Sequence, residues 1–410
     1  MSDIGLRALS AVGFCVMIGI AWLASSDRRR VSWPIVAWGV GLQLGLAIVL
    51  LKTPAGHAFF RGVRIVVDKL LFYTHAGTRF VFGSLLETGF SFALEVLPII
   101  VFMGSLFAVF YHLGIVQWVV TLLARVLSRT MRISGAESLV AVANIFVGMV
   151  ESCLVIKPYL ERMTRSELFS TMTLGMATVA GSVLLAYVEI LGGADYAGHL
   201  VTASLLSAPA GLLIAKVMIP ETGTPLTRNG ADANIARTTV NVIDAAAEGA
   251  LNGLRLAAYV GALLLAFVAL IAFANDVLGG LGGLIGLPEL SLQWALGRLL
   301  APLAFVMGVP WADASSVGSL LGIKTILNEF VAYQQLGELI DAGQLSPRSQ
   351  VIAAYALCGF ANFGSLAILL GGIGGMVPER RPEVARLGLR AILSGSLTTF
   401  MTACVVGVML

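Results

Sequence analysis

Charged residues are scarce in this sequence. Only 12% of its 410 residues are Asp, Glu, Lys or Arg, whereas about a quarter are charged in an ordinary soluble domain. The net charge is only +3, and the basic residues are spread along the chain, so nucleic-acid binding is not predicted. Apolar residues make up 58% of the chain, and the mean hydropathy is +0.92. One soluble core could not bury this much apolar material, and the lipid bilayer is therefore the expected solvent.

Metal ligands and nucleophiles are also few. None of the four cysteines belongs to a CxxC pair, and the four histidines lie apart near the ends of apolar segments. Neither a disulfide framework nor a zinc site follows from this pattern, and there is no GxSxG nucleophile motif. We therefore expect no cofactor and no enzymatic activity. A membrane-embedded enzyme and a receptor-like or gate protein without transport remain the alternatives to a transporter.

Long apolar runs, in contrast, are abundant. About 20 helical residues cross the hydrocarbon core. Eight segments qualify as transmembrane helices, namely residues 8–25, 33–51, 90–111, 168–190, 201–219, 256–273, 351–372 and 391–410. The predicted fold is thus an all-α polytopic membrane protein.

The basic residues indicate how these spans are oriented. Three arginines follow the first span, whereas a signal peptide carries its positive charge before its apolar run. The basic clusters fall on one side, which by the positive-inside rule is the cytoplasm, and both termini are then periplasmic at a bacterial inner membrane. The residues concerned are Arg28, Arg29, Arg30, Arg125, Arg129, Arg132, Lys216, Arg228, Arg237, Arg380, Arg381, Arg386 and Arg390.

Residues 59–82 depart from this pattern. The segment is amphipathic and carries four basic residues on the nominal outer side, Arg61, Arg64, Lys69 and Arg79. This composition is typical of a helix that lies along the membrane interface, which is the arrangement we predict.

Two apolar stretches, residues 136–160 and 312–336, are too broken to be ordinary spans. Each has a glycine near its middle and a glutamate, Glu151 or Glu329, a few residues later. Each half is too short to cross the membrane, and we therefore predict two re-entrant hairpins. Irregular backbone at this depth is tolerated only inside protein or beside a water-filled cavity.

The hairpins belong to an internal repeat. A Gln-Trp pair at Gln117 opens one copy and another at Gln293 opens the second, and the hairpin glutamates follow after 34 and 36 residues. Residues 165–182 align without gaps on residues 348–365, with five identities in eighteen positions. Three predicted spans separate the hairpins, so the second copy is inverted. Inverted repeats with broken helices are typical of secondary transporters, whose substrate site lies near the bilayer midplane.

Carboxylates at membrane depth indicate function, because an unpaired charge there is costly. Glu151 and Glu329 are predicted at matching places in the two repeats, where they could accept hydrogen bonds from a polyol such as ribose, or one could carry a coupling proton. The competing interpretation is that each caps a helix N-terminus, where the helix dipole favours an anion. Glu95 lies outside the repeats and is either a structural partner or a proton site.

Several uncharged residues are further candidates. Asn362 and Ser365 lie mid-span among glycines and either bind substrate or form interhelical hydrogen bonds. Asn144 and Thr178 supply oxygen atoms that suit a monovalent cation beside unwound backbone, unless they only cap helices. Phe360 either stacks on a flat ring or fills the core.

Four stretches, residues 143–152, 154–169, 321–333 and 356–381, carry a family resemblance. They read ANIFVGMVES, LVIKPYLERMTRSELF, LGIKTILNEFVAY and ALCGFANFGSLAILLGGIGGMVPERR. With these motifs the chain resembles the concentrative nucleoside transporter family over nearly its whole length. The resemblance implies a homotrimer of eight-span protomers. Spans 1, 2, 3 and 6 would form a scaffold, and the hairpins with spans 4, 5, 7 and 8 would form a transport domain that moves like an elevator.

The resemblance also implies roles for individual residues. Glu151 would lie near the sugar and the coupling region, and three residues of the second repeat would bind ribose. The nucleoside site would have two wall residues, and four residues would form a sodium site in which valine carbonyls take part. The implied ribose ligands are Glu329, Asn362 and Ser365, the walls are Phe360 and Val183, and the sodium ligands are Asn144, Val147, Thr178 and Val179.

The first hairpin tip departs from the commonest family pattern. Much of the family reads Gly-Gln-Thr-Glu, whereas this chain reads Gly148-Met149-Val150-Glu151. The polar groups that would meet a uracil edge are lost, and methionine can adapt to a larger ring. Purine-preferring members resemble this chain in carrying Gly-Met here and Thr-Val in span four, so we expect purine nucleosides to be preferred. A modified nucleoside or another ribosyl compound is the alternative.

These arguments divide the chain into four segments and predict its function. The segments are 1–114 with scaffold helices and the interfacial helix, 115–222 with hairpin 1 and spans 4 and 5, 223–290 with a cytoplasmic loop and scaffold span 6, and 291–410 with hairpin 2 and spans 7 and 8. The predicted function is cation-coupled import of nucleosides. Na+ is favoured over H+ because Asn144 and Thr178 keep their oxygen atoms.

Overall fold

The computed structural model describes residues 2–88, 91–228, 231, 239–284, 286–287 and 289–410. Two predicted features, the basic residue Arg237 and the first residue of the third span, Phe90, lie outside these ranges. The regular structure of the described residues consists of nineteen α-helices and three short 3-10 helices. The predicted all-α class is confirmed.

The N-terminal part contains five helices. Thr53 caps the third by accepting a hydrogen bond from the N–H of Gly56 at 3.2 Å, and Pro54 occupies the first helical position, where a missing N–H costs nothing. This helix is continuous, as predicted, and begins five residues before residue 59; that it lies along the interface stays a prediction. The five are α1 (Asp3–Leu23), α2 (Trp33–Lys52), α3 (Pro54–Phe82), α4 (Phe92–Glu95) and α5 (Leu97–His112).

Two sets of helices then follow the same order, as the predicted repeat requires. Each set has an opening helix, a helical hairpin, a span broken near its middle and a long closing helix. The first set is α6 (Ile115–Met131), α7 (Gly135–Phe146), α8 (Met149–Val155), α9 (Lys157–Leu160), α10 (Arg165–Ala177), α11 (Gly181–Ile190) and α12 (Ala197–Met218). The second is α14 (Leu292–Val306), α15 (Trp311–Ile326), α16 (Glu329–Asp341), α17 (Pro347–Leu357), α18 (Phe363–Met376) and α19 (Arg381–Met409).

Between the two sets lies α13 (Val242–Leu284), a helix of 43 residues. It is much longer than the predicted span 256–273 and reaches about 65 Å at 1.5 Å per residue. Glycines allow its backbone to approach α5 closely, since a Cβ atom on Gly249 would stand 2.5 Å from the carbonyl oxygen of Gly104. Close backbone packing at small residues is a usual way for membrane helices to associate.

The number of complete spans differs from the prediction. Within the described part of the chain, seven stretches are long and apolar enough to cross a membrane. The number is eight if α14 and α15, between which the chain bends by 116°, count as one bent span. The predicted span 351–372 is divided between α17 and α18 by an irregular segment at 358–362. The second hairpin is also broken later than its glycine suggests. α15 continues through Gly322, which packs against Leu296, and ends only at Ile326.

Burial separates inner from outer helices. In an apolar stretch of 18 residues within the span Arg165–Ile190, and likewise within α12, 89% of the residues are buried inside the protein, and within the span Pro378–Met409 the share is 83%. In α1, α2, the span Phe92–His112 and α13 the fraction is only 22–28%. The broken span α10–α11 and the closing helices α12 and α19 therefore lie in the interior, where the irregular backbone at 178–180 is shielded.

A buried charge network fixes the ends of α7, α10 and α12. The Lys216 ammonium lies 2.6 Å from a carboxylate oxygen of Glu137 and 3.2 Å from one of Glu221, and it donates to the Ser166 hydroxyl at 3.0 Å. Glu137 also completes a capping box with Ser134 at the start of α7. Burial raises the pKa of Glu221, but the Lys216 ammonium and the hydrogen bonds from Gly223 and Thr164 together outweigh burial and hold that pKa below its usual value.

Candidate functional site

Helix breaks meet in the interior, and the residues predicted to bind substrate or sodium lie in a break or within three residues of one. The N–H of Phe360 donates to the carbonyl of Thr178 at 3.3 Å and so joins the breaks of the two broken spans. A Cβ atom on Gly181 would stand 2.8 Å from the carbonyl oxygen of Phe146, so the approach of α11 to the end of α7 requires glycine. The breaks lie at residues 147–148, 178–180, 327–328 and 358–362.

Glu329 is the first residue of α16 and is only 3% exposed. One of its carboxylate oxygens accepts a hydrogen bond from the Tyr187 hydroxyl at 2.9 Å, and the other accepts one from the Asn362 amide at 2.7 Å. The structure thus brings together two residues predicted to bind ribose. It also gives both oxygens of a buried carboxylate a partner, as such a group requires.

Asn362 has two roles at once. Its nitrogen donates to Glu329, while its oxygen accepts the backbone N–H of Ser365 at 2.7 Å and caps α18. The alternatives for Asn362 were substrate binding and interhelical hydrogen bonding; the structure shows an interhelical hydrogen bond to Glu329, and substrate binding stays a prediction. Because its two ends are held, the amide has a fixed orientation towards the carboxylate.

The aromatic residues around Glu329 were missed by sequence reasoning. Tyr187 on α11 stacks on Tyr333 with ring centres 4.5 Å apart and meets Phe330 edge-on at 4.8 Å. Tyr333 in turn donates to the carbonyl of Ala354 at 2.8 Å. A tyrosine in an apolar span must find a partner for its hydroxyl, and this was the available signal for Tyr187.

Glu151 differs from Glu329 and corrects the predicted equivalence. It is the third residue of α8, and its side chain is exposed in the single chain. α15 ends 180 residues after α7, and α16 begins 180 residues after α8. With this offset, Glu329 corresponds to Met149, and Glu151 corresponds to Val331. The two carboxylates therefore do not occupy the same place in the repeats.

The residues of the first hairpin tip face different neighbours. Gly148 begins the turn into α8, and Met149 is buried where Gly175 of α10 faces its Cβ atom. Val150 lies against α18, since a Cβ atom on Gly372 would stand 2.7 Å from a Val150 methyl group. The tip is thus wedged between two broken spans, and its apolar side chains face their glycines.

The two predicted walls of a nucleoside site are both buried. Val183 lies in the first turn of α11 and is 2% exposed, and Phe360 lies in the break before α18 and is 9% exposed. Both therefore border the breaks that contain Thr178 and Asn362.

The predicted cation ligands lie at the C-terminal ends of α7 and α10. Val147 follows the last residue of α7, and Thr178 and Val179 follow the last residue of α10. Helix C-termini carry unsatisfied carbonyls and the negative end of the dipole, and therefore favour a cation. Since the two ends of an amide are assigned from their hydrogen bonds, the Asn144 amide can turn its oxygen towards a cation.

Lys324 is a second residue that sequence reasoning missed. It lies in the last turn of α15 and is 0% exposed. Its ammonium donates to the carbonyl of Ala356 at 2.8 Å and to the hydroxyl of Thr399 at 3.0 Å. A lysine in an otherwise apolar hairpin was the available signal, because an ionisable residue at this depth is a candidate by default.

Glu95 does not join these breaks by any described bond. It is the last residue of α4 and half buried, and the nearest described ion pair of that region joins His75 to Glu189 at 3.5 Å. A role for Glu95 as a structural partner or a proton site stays a prediction. No group of three His, Cys, Asp or Glu side chains suited to a metal ion occurs within the described ranges.

Three family models match this chain in succession. The Na+ dependent nucleoside transporter N-terminus matches residues 12–85, a nucleoside recognition Gate model matches residues 93–194, and the Na+ dependent nucleoside transporter C-terminus matches residues 199–407. The chain belongs to the Na+-dependent nucleoside transporter family. The resemblance given by the motifs is thereby confirmed, and the proteins related to this family member are transporters rather than enzymes.

Two named relatives show how far the similarity extends. The uncharacterized transporter YutK of Bacillus subtilis is 45% identical over 399 residues, which cover 97% of this chain and 98% of the relative. Solute carrier family 28 member 3 of Mus musculus is 41% identical over 423 residues, covering 100% of this chain and 60% of the relative. The mouse protein thus contains sequence beyond the part shared with this family member.

Solved structures share the same fold. An inward-facing, substrate-bound structure of CNTnw superposes with a TM-score of 0.93 at 44% identity, covering 98% of both chains. A variant of CNTnw in an outward-facing state gives a TM-score of 0.92 at 42% identity, again covering 98% of both chains. The architecture of this family member is therefore that of a transporter captured facing both sides of the membrane.

Proposed function

We propose that this chain imports nucleosides together with Na+ across the bacterial inner membrane and prefers purine nucleosides. The observation that carries the proposal is the buried pair of Glu329 and Asn362, whose carboxylate and amide lie 2.7 Å apart at two helix breaks. Family membership supports nucleosides as the substrate class. The substrate preference and the coupling ion are the further steps argued below.

The sugar is the part of a nucleoside that suits Glu329. A ribose diol presents two neighbouring donors, and a carboxylate offers two acceptor oxygens. On binding, the hydroxyls would exchange with Tyr187 and Asn362 as partners of the carboxylate. A site built to hydrogen-bond hydroxyls strongly rejects compounds that lack them, and free nucleobases should therefore be poor substrates.

The ends of α7 and α10 suit a sodium ion. Their C-terminal carbonyls and the unpartnered amide of Asn144 supply uncharged oxygen ligands in a buried place. The Thr178 hydroxyl donates to the carbonyl of Leu174 at 3.0 Å and so keeps its oxygen lone pairs for a cation. A proton would require a carboxylate among these ligands, and none of the four proposed ligands is one. The ion proposal rests on this donor set.

The hairpin tip supports a purine base. Met149 and Val150 make it apolar, so a uracil edge placed there would lose hydrogen bonds at about 1–3 kcal/mol for each unsatisfied group. Methionine adapts its shape to a larger ring. A modified nucleoside or another ribosyl compound would also fit an apolar tip, and the competition experiment below separates these substrates.

The burial pattern supports a division into two functional parts. We place the scaffold in residues 1–114 and 223–290, whose spans are little buried, and the transport domain in residues 115–222 and 291–410, whose broken helices form the interior. The hairpins α7–α8 and α15–α16 are proposed to be re-entrant, because no single helix of either is long enough to span. The exposed apolar faces of the scaffold would meet lipid and two further copies in a homotrimer, with both termini periplasmic.

Reconstitution tests the transport and the ion. Purified protein in proteoliposomes should accumulate labelled inosine when an inward sodium gradient is imposed, and should stop when choline replaces sodium. Uptake driven equally well by a pH gradient in sodium-free buffer would contradict sodium coupling and favour H+. Absence of any concentrative uptake would contradict a transporter and favour a gate or receptor.

Competition tests the substrate. Unlabelled inosine, adenosine and guanosine should inhibit inosine uptake more strongly than uridine and cytidine, and hypoxanthine should inhibit least because it lacks ribose. The converse ranking of purines and pyrimidines would contradict the preference while leaving nucleoside transport intact.

A further inference from the structure

Lys324 is a buried charge for which the proposed function has no use. None of the ion pairs of the described residues includes it. Its ammonium instead lies among neutral groups, the carbonyl of Ala356, the hydroxyl of Thr399 and the face of the Phe400 ring at 5.7 Å. Burying a charge in this way is costly, and simple packing would be served better by an apolar residue.

Its place in the second repeat is the place of Asn144 in the first. Helix α7 ends at Phe146 and α15 ends at Ile326, 180 residues later, and the next helices also begin 180 residues apart. Asn144 and Lys324 are separated by the same 180 residues. Each lies two residues before the end of the first helix of its hairpin, so the repeat places the two side chains equivalently.

The groups that the ammonium contacts are those that a cation would seek. Ala356 is the last residue but one of α17, and the carbonyls of a last turn have no intrahelical donor. The N–H of Phe360, four residues on, donates to Thr178 instead of Ala356. Lys324 therefore takes up a C-terminal carbonyl and a threonine hydroxyl, the same kinds of oxygen group as those of the sodium site proposed at Asn144.

The two repeats differ in the source of the positive charge at this position. Asn144 is neutral, and its amide nitrogen lacks a hydrogen-bond partner among the residues that the structure describes, so a cation there must come from solution. Resting on the proposed sodium site, we propose that Lys324 is a tethered cation, whose ammonium occupies in the second repeat the position that sodium occupies in the first. The second repeat then carries its own positive charge five residues before Glu329, and only the first repeat responds to sodium.

The test replaces Lys324, or introduces a lysine at position 144, and measures sodium binding rather than transport. The variants are Lys324→Asn, which copies the first repeat, Lys324→Met, which keeps length without charge or oxygen, and the reciprocal Asn144→Lys. The melting temperature of each purified protein is measured while NaCl replaces choline chloride at constant ionic strength, with and without saturating inosine. These measurements use the full chain and require no gradient.

The tethered cation gives each variant its own sodium response. Lys324→Asn should be destabilised in choline and restored by sodium, with a Hill coefficient higher than that of the wild type by about one. Lys324→Met should be destabilised and not restored. Asn144→Lys should lose its sodium dependence, so that inosine stabilises it equally in both salts.

Other outcomes overturn the inference. If Lys324→Asn and Lys324→Met both titrate with sodium as the wild type does, Lys324 is only a helix cap. If neither Lys324→Asn nor Lys324→Met folds, Asn144→Lys decides alone. Retained sodium dependence in Asn144→Lys would then reject the equivalence of positions 144 and 324. If the wild type itself ignores sodium, the proposed sodium site fails and this inference fails with it, whereas the first two outcomes leave sodium coupling intact.

Discussion

At the scale of single residues, the carboxylate of Glu329 is the central group. Replacing it in Glu329→Gln introduces a donor where two donors already point, and Asn362→Ala removes a partner and a helix cap. Each change should weaken inosine uptake by about 10–100-fold, which corresponds to about 1–3 kcal/mol for lost buried hydrogen bonds. Glu338→Gln on the exposed face of α16 is the matched control. Normal uptake by both site variants would contradict the ribose assignment.

The hairpin tip provides a second prediction at this scale. Met149→Gln combined with Val150→Thr restores the polar groups that much of the family carries. Uridine should then compete with inosine more strongly than it does in the parent protein, because its edge regains hydrogen-bond partners. The measurement is the ratio of the two half-inhibitory concentrations, and an unchanged ratio would show that the tip does not read the base.

Sequence reasoning reached some residues of this site and not others. Glu329, Asn362 and Asn144 could be predicted because polar groups in apolar, glycine-rich segments are conspicuous. The contact of Glu329 with Tyr187 could not, because 142 residues separate them and only the fold determines which tyrosine lies near. The difference between Glu151 and Glu329 depends on where each hairpin breaks. Glu329 is the first residue after its break, whereas Glu151 is two residues further into α8, so the two glutamates do not correspond in the repeats.

At the scale of helices, the charge network at Lys216 is the strongest anchor. Lys216→Met would leave Glu137 and Glu221 without their buried cation, and breaking such a pair costs about 3–5 kcal/mol. The melting temperature in detergent should fall clearly, whereas Lys157→Met at an exposed position should leave it unchanged. An equal melting temperature for Lys216→Met would show that the pair contributes nothing.

The same network predicts a dependence on pH. The pKa of Glu221 lies below its ordinary value of 4.5 in the folded protein, so its contribution to stability is complete above that value and is lost as the pH falls through the folded pKa. Acidification from neutral pH should therefore destabilise the wild type more than Lys216→Met. Parallel pH profiles of the two proteins would contradict this coupling.

The contact between the two broken spans depends on one glycine. In Gly359→Ala the new Cβ atom would stand 2.9 Å from the carbonyl oxygen of Met176 and 2.7 Å from a Thr399 methyl group. Overpacking of this kind costs about 1–3 kcal/mol, and uptake should fall. Gly371→Ala on α18 meets nothing within 4 Å and is the control; equal loss in both variants would point to a general effect on α18.

Helix positions were easier to predict than helix breaks. Apolar length identified the spans, and the repeat identified hairpins and broken spans in matching order. The position of a break could not be taken from glycine alone, because Gly322 serves close packing against Leu296 while the chain turns at 327–328. The length of α13 was underestimated for a similar reason, since its ends continue as a helix beyond the apolar core of the span.

At the scale of the whole molecule, the contrast between buried and outer helices predicts relative motion. Gln43 on α2 donates to Thr402 on α19 at 3.1 Å, across the proposed boundary of scaffold and transport domain. Cysteines at both positions, in a cysteine-free background, should be bridged by Hg²⁺ and then block uptake until a thiol is added. The control pair is Thr173 with Ser394, 2.9 Å apart within the transport domain, and its bridging should spare uptake.

The pairing of Glu329 has a consequence for turnover. A transporter must change between outward-facing and inward-facing states in both directions, and it returns without bound substrate. A bare carboxylate in the interior would then be costly and would hold the empty protein on one side. Tyr187 and Asn362 supply both missing partners from the protein itself. If ribose binds as proposed, its hydroxyls and these two side chains would alternate as donors to the same two carboxylate oxygens, and the empty state would keep the same number of hydrogen bonds as the loaded one.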